Sequence, residues 1–425
     1  MSNNIHKFLL TALLIMIPLF PKFPLFGVSG TYVSIRLEDI LIAVSSIVFL
    51  PLLIKEIKNL LNDKIIRSII IFLFIGLVSF ISAEFVTQTI SPTIGLLHLV
   101  RRAEYFSLFV YGYLYIKYLS KKEDIEFFVK ILALIIGYIF IYGLLQRYFS
   151  FPIVITQNYE YSKGIALRWI PGSHINSTFA GHYDLANYLV LVIPIFITGL
   201  FTFKEKLIKV CFGTVSLFGY WLFSNALSRI SIVSFIVATS ISLLLLKKYK
   251  EILIFGTISL ILLGFSEGLR DRYMRIFDLI KDKISTVVVV YAEESNIFED
   301  RSTSIRLNVE WPRAIRAFSK NPLLGTGYSS ISLATDNDYL RALGEVGILG
   351  FFSFILIFVN IFKLLYSTDF NGQMNNVEKI FFASMVGGTI GILISALFID
   401  IFEASKFASS YWLLMGMLVG RVKTS

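Results

Sequence analysis

Apolar runs, most of them about 17 to 22 residues long, recur along the chain, separated by short polar stretches. Soluble helices rarely stay apolar all round for that length, so the runs read as serial membrane-spanning helices. They fall at about 8–20, 37–54, 65–82, 97–115, 127–145 and 185–203, then at a run ending near Phe223, and at 230–246, 252–265, 342–365, 380–398 and 407–420. The first run resembles a signal-peptide core. Pro18, Pro21 and Pro24 follow it instead of a small-residue cleavage site, which predicts an uncleaved span broken near its end.

The polar stretches differ in charge. Lys55, Lys58, Lys64 and Arg67 fill one loop, Lys117, Lys121 and Lys122 the next, and Lys204, Lys206 and Lys209 a third. Lys247, Lys248 and Lys250 follow, then Lys379, and Arg421 and Lys423 close the chain. All fall on one side of the serial spans. The positive-inside bias makes that side cytoplasmic and puts both termini there. Two long intervals fall on the other side, residues 146–184 and 267–341. The expected fold is an all-α polytopic membrane protein, one domain over residues 1–425, with about twelve transmembrane helices. A long, partly helical extracytoplasmic loop, residues 267–341, precedes span ten and is the expected catalytic loop.

That loop carries two helical patterns. Residues 267–284 mix charges with Leu269, Tyr273, Ile276, Leu279 and Ile280, which predicts a helix lying on the membrane surface. Residues 304–319 predict a second helix, capped by Ser304 and presenting Leu307, Trp311, Ile315 and Phe318 as one apolar face. Asn321-Pro322 stops it, and Gly325-Thr326-Gly327 turns the chain. No strand precedes those glycines, so no dinucleotide site is implied. No internal repeat or low-complexity segment stands out.

Composition agrees with the pattern. Hydrophobic residues make up 56% of the 425 and charged residues 16%, against about 25% in soluble domains. Mean hydropathy is +0.74. The net charge of +10 follows from the lysine-rich short loops and does not signal nucleic acid. A single cysteine, Cys211, leaves no intrachain disulfide and no cysteine metal cluster. Four scattered histidines lack metal-ligand spacing, and no metal or cofactor is expected.

Candidate chemistry lies in the polar intervals. Arg306 and Arg313 ride on the second loop helix, and Arg301 just precedes it. A guanidinium offers a planar fork of donors that fits phosphate oxygens, although most loop arginines are simply solvated. Arg229, in SNALSRIS, begins span eight on the side where positive charge is disfavoured. Snorkelling to the interface is its other reading. Arg101 and Arg102, followed by Glu104, fall inside span four and either pair locally or line a polar cavity. Arg168 and His182 are contact candidates in the interval after span five. Asp336, Asn337 and Tyr339 precede span ten. Either Asp336 caps a helix there, or its carboxylate accepts a proton from a sugar hydroxyl.

The order of these segments resembles a known family. An Arg lies a few residues before Trp311, followed by Asn-Pro-Leu-Leu-Gly-x-Gly and then Asp-Asn-x-Tyr-Leu-x-x-Leu-x-Glu-x-Gly-Ile-Leu-Gly. With HINSTFAGHYDLANYLVLVIPI and SNALSRIS, this is similar to the bacterial O-antigen ligase and polysaccharide polymerase superfamily. The resemblance implies a membrane glycosyltransferase of the C type. Such enzymes transfer a glycan from undecaprenyl pyrophosphate to a sugar hydroxyl on the outer face, without a metal. Arg229 and Arg306 match the family arginines that hold the pyrophosphate, and Asp336 stands where ligases carry the histidine proposed as base. That departure favours a polymerase extending lipid-linked repeats of O-antigen, capsule or exopolysaccharide, with a chain-length regulator and a flippase as implied partners. A ligase moving finished glycan onto lipid A core is the alternative. A transporter is the reading from another class. It predicts paired, broken helices with midplane charges, and only Arg101, Arg102 and Glu104 approach that pattern.

Overall fold

A computed structural model describes residues 2–20, 24–29, 31, 33–121, 123–151, 174–264, 304–331, 334–369, 372 and 374–424. The helices run α1 Ser2–Leu19, α2 Leu37–Asn62, α3 Lys64–Ser82, α4 Pro92–Leu114, α5 Asp124–Phe149, α6 His182–Thr202 and α7 Lys206–Ala226. They continue as α8 Arg229–Leu245, α9 Tyr249–Gly264, α10 Trp311–Lys320, α11 Asp338–Tyr366, α12 Asn376–Ser395 and α13 Ser405–Val422. A helix occupies each position where the apolar pattern expects a span, and α10 is the expected loop helix. Seven are long and apolar enough to cross a membrane by length and composition, and residues 4–19 and α8 are shorter apolar helices. The chain is an all-α polytopic membrane protein. One small departure is a two-stranded antiparallel hairpin, β1 Pro24–Gly27 with β2 Ser34–Arg36, in the link between α1 and α2. Residues 152–173, with Arg168, and residues 265–303, with Arg301 and the expected surface helix at 267–284, lie outside the described residues.

Apolar surface covers the outside of the bundle as well as its core, unlike in a soluble protein. Peripheral helices expose large apolar side chains: Val44, Ile47 and Ile54 on α2, Phe74 on α3, Leu253 and Leu260 on α9. Charged side chains are buried instead, among them Arg102, Asp338, Arg341, Glu345, Asp400 and Lys406. That arrangement suits a bilayer, where apolar surface meets lipid and ionisable groups face the bundle interior. Helices that are apolar all round take the centre. In α6 every residue from Leu185 to Gly199 is buried, and in α13 every residue from Ser405 to Gly420. α6 packs on α7, α8 and α12, while α13 packs on α4. A methyl group added at Gly416 or Gly112 would overlap backbone of the facing helix, so α4 and α13 meet backbone to backbone.

The feature that positions the site is a break in α11. Gly347 has φ +67°, a left-handed conformation that releases the helical hydrogen bonds around it. The loop after α10 takes them up. Thr326 and Gly327 donate their N–H groups to the carbonyls of Gly344 and Glu345 at 2.9 and 2.8 Å. Ile348 and Leu349 in turn donate to the carbonyls of Pro322 and Leu323 at 2.9 and 3.3 Å. The Ser79 hydroxyl, on α3, donates to the Glu345 carbonyl at 3.0 Å and to that of Leu324 at 2.5 Å. The stop-and-turn segment is thereby bound to two spans.

Candidate active site at the start of α11

Arg306 opens a π-helical turn, Arg306–Glu310, that leads into α10. Such wide turns hold one extra residue and concentrate at functional sites. Ser304 is already helical here instead of capping the helix, and its hydroxyl accepts from the Asn308 side chain at 3.1 Å. The expected apolar face also differs, since Leu307 and Ile315 are half exposed. α10 packs on α11 through its small side instead, with Ala314 and Ala317 against Gly344. Small residues there let the backbones approach and bring Arg306 and Glu310 to the start of α11.

Arg306 donates from Nε and Nη2 to Asp336 Oδ2, at 3.0 and 2.8 Å. Burial acts against the guanidinium charge, but Asp336 and Tyr183 outweigh it and raise its pKa. Asp336 is pushed up, first by burial and then by the Asp400 carboxylate, with Arg306 and Arg341 pulling the other way. Asp336 is not the helix cap. Asn337 caps α11, its side chain accepting from Leu340 N–H at 2.9 Å and donating to the Leu397 carbonyl at 3.0 Å. Capping frees Asp336, whose backbone is left-handed at φ +49°, to face Arg306. Tyr339 donates its hydroxyl to the Leu393 carbonyl at 2.7 Å, a contact that docks α11 on α12.

Beneath this pair lies a group of charges that joins Arg102 to residues outside the sequence candidates. Asp400, in the link between α12 and α13, accepts from the N–H groups of Thr335 and Asn337 at 2.7 and 3.0 Å. The Arg341 Nε lies 3.2 Å from its carboxylate. Arg341 also approaches Glu345 at 3.6 Å and Glu403 at 3.9 Å. Arg102 pairs with Glu403 and donates to the Phe402 carbonyl at 2.8 Å. Asp338 accepts from Ile401 and Phe402 N–H at 2.8 and 3.1 Å. Arg102, Asp338, Arg341, Glu345 and Glu403 line a cavity of about 50 Å³ with Tyr328. The two readings of span four thus both hold. Arg101 pairs locally with Glu104 at 3.3 Å and with Asp39 at 3.6 Å, whereas Arg102 lines the cavity. Asp400 carried a usable signal in the sequence, an acidic residue between two apolar runs, which is costly without a purpose.

His182 and Arg229 come to the same end of the bundle, whereas Arg168 and Arg301 lie outside the described residues. His182 begins α6, with its ring 4.2 Å from His174 and 4.0 Å from Tyr183, and Tyr183 lies against Arg306. One turn on, Asn187 donates to the Tyr183 carbonyl at 2.9 Å. Ser231, on α8, donates to Asn187 Oδ1 at 3.4 Å and is 2.6 Å from Ser228. Arg229 is the first residue of that helix. The start of α6 thus touches Arg306 through Tyr183, and through Asn187 the first turn of α8, which Arg229 opens. Arg313 lies two turns beyond Arg306 on α10, and its charge acts on Glu310. Among the described residues, no group of three His, Cys, Asp or Glu is placed to hold a metal ion.

Residues 212–355 match the family model described as O-antigen ligase. The match supports the O-antigen ligase and polysaccharide polymerase superfamily that the motifs resemble. It spans Arg229, Arg306 and Asp336 together with the broken start of α11. Members of the ligase family are glycosyltransferase-like enzymes that move glycans. No curated protein matches the chain.

Proposed function

We propose that the chain is a polysaccharide polymerase of the cytoplasmic membrane, with about twelve spans and both termini inside. It transfers glycan from undecaprenyl pyrophosphate to a sugar hydroxyl of a lipid-linked repeat unit on the outer face. The observation that carries this reading is the Arg306–Asp336 pair, held at the start of α11 and joined through Tyr183 to the end of the bundle where Arg229 begins α8. Pyrophosphate is already a competent leaving group, so catalysis rests on neutralising its growing charge. Two arginines, with the amino termini of α6, α8 and α11 at the same end, supply that positive potential. Asp336 sets the plane of the Arg306 fork. His182, Asn337 and Tyr339 are the further contacts of this reading, and Arg168 and Arg301, which lie outside the described residues, enter it from the sequence alone.

A ligase is the second reading, favoured by the description of the matching family. Deleting the gene separates the two. Loss of a polymerase leaves single repeats on the lipid carrier, whereas loss of a ligase leaves long polymer there. In reconstitution with lipid-linked repeats, Arg229→Ala and Arg306→Ala are expected to abolish chain growth. Unchanged chain length in both variants would remove the pyrophosphate role.

A further inference from the structure

Three polar side-chain atoms within four consecutive residues are buried and have no hydrogen-bond partner among the described residues: Glu310 Oε2, Trp311 Nε1 and Arg313 Nη1. Leaving buried donors and acceptors unpaired is costly, so a set of them in one place asks for a partner. One acceptor and two donors complement a hydroxylated ring, whose OH groups both give and take hydrogen bonds. They do not complement lipid. The Trp311 ring, 6.3 Å from Phe398, adds an aromatic surface beside them.

The setting of Glu310 is specific. The π turn carries it round from Arg306, and Arg313 lies three residues on along the helix. Asp336 and Asp400 face it from the loop before α11 and from the α12–α13 link, and Arg306 and Arg313 from its own segment. Burial and then the two carboxylates push it up to about 7, against the two arginines. A carboxylate in that range is matched to proton transfer near neutral pH. Asp336 is differently engaged, since its Oδ2 already accepts two N–H groups of Arg306.

We propose that Glu310, Trp311 and Arg313 form the acceptor-sugar subsite, and that Glu310 takes the proton of the attacking hydroxyl. The proposal rests on the reading of Arg306 as the clamp on the donor pyrophosphate. The acceptor oxygen bonds to the anomeric carbon of the donor. The bond from that carbon to the phosphate oxygen breaks, and its electron pair leaves with undecaprenyl pyrophosphate. The hydroxyl proton passes to the Glu310 carboxylate and from there to water.

The test uses the full-length protein in phosphatidylethanolamine–phosphatidylglycerol vesicles, supplied with lipid-linked oligosaccharide extracted from cells deleted for this chain. Glu310→Gln is expected to lower transfer by about 100-fold or more, the usual scale of general-base loss. Glu310→Ala should regain transfer with added formate, which a merely structural role does not predict. Glu310→Asp keeps the charge and should retain part of the rate with the acidic limb of the pH profile, which covers loosening of the fold by the other variants. Trp311→Phe and Arg313→Gln should raise the substrate concentration needed for half-maximal rate while leaving that limb in place. Wild-type transfer by Glu310→Gln overturns the proposal. So does loss of the acidic limb in Asp336→Asn alone. If the wild-type protein transfers nothing from this donor, the clamp reading falls with it, and Arg306→Ala then changes nothing either.

Discussion

Arg306 and Asp336 meet through two nitrogens on one oxygen, with Nε at 3.0 Å and Nη2 at 2.8 Å from Oδ2. This fork fixes the plane of the guanidinium. A lysine ammonium has the charge without the fork. Arg306→Lys is therefore expected to lose nearly as much transfer as Arg306→Ala, on the order of 100-fold, as for other oriented charge-stabilising groups. Rates of chain extension from lipid-linked repeats measure it. Lysine supporting wild-type extension would show that charge alone is used.

Asp400 is almost fully buried, and it holds two backbone N–H groups and the Arg341 guanidinium. Removing one partner of a buried ion pair leaves the other charge stranded, at about 3–5 kcal/mol. Asp400→Ala should lower the melting temperature in detergent as well as activity. Asp400→Asn, which keeps an acceptor oxygen, should be less harmful in the melt.

Gly347 and Gly325 face each other across the junction of α11 and the preceding loop, and both have positive φ. A methyl group at Gly347 would overlap the Leu323 backbone, and one at Gly325 the Glu345 backbone. Neither neighbour is a side chain that can swing away. Alanine at either position should disrupt the exchanged hydrogen bonds and reduce the folded yield. Size-exclusion profiles of tagged protein give the readout, and a normal profile for Gly347→Ala would contradict this account of the junction.

Glu310 also predicts a pH dependence of stability. Its folded value, about 7, lies above the ordinary 4.5, so folding favours the protonated form. Its contribution is fully present below 4.5 and is lost as the pH rises through about 7. Glu310→Gln removes the charge at every pH. The variant should melt higher than the wild type at pH 8, with the difference vanishing below about 4.5. Parallel melting curves across that window would argue against a half-buried, charge-crowded Glu310.

The fold class was legible in the sequence because a bilayer imposes length and polarity on each helix separately. Every expected span coincides with a helix, and Asn321-Pro322 and the two glycines after it stop and turn the chain as their chemistry requires. The segment holding Arg306 and the motif around Asp336 were also legible, because the family pattern is local. What was not legible depends on contacts between segments far apart in number. That Asn337 caps α11 while Asp336 pairs with Arg306 follows from backbone geometry at one residue. That Asp400 supports the start of α11 from 63 positions away (400 − 337) follows from how α12 and α13 are joined. The π turn and the small Ala314–Ala317 side of α10 decide that Glu310 is half-buried among the charges. Periodicity assigned a helix there and an apolar face, but only packing chose the face. Residue type and spacing set each element, whereas close approach and burial, which arise only in the assembled bundle, decide which charges meet.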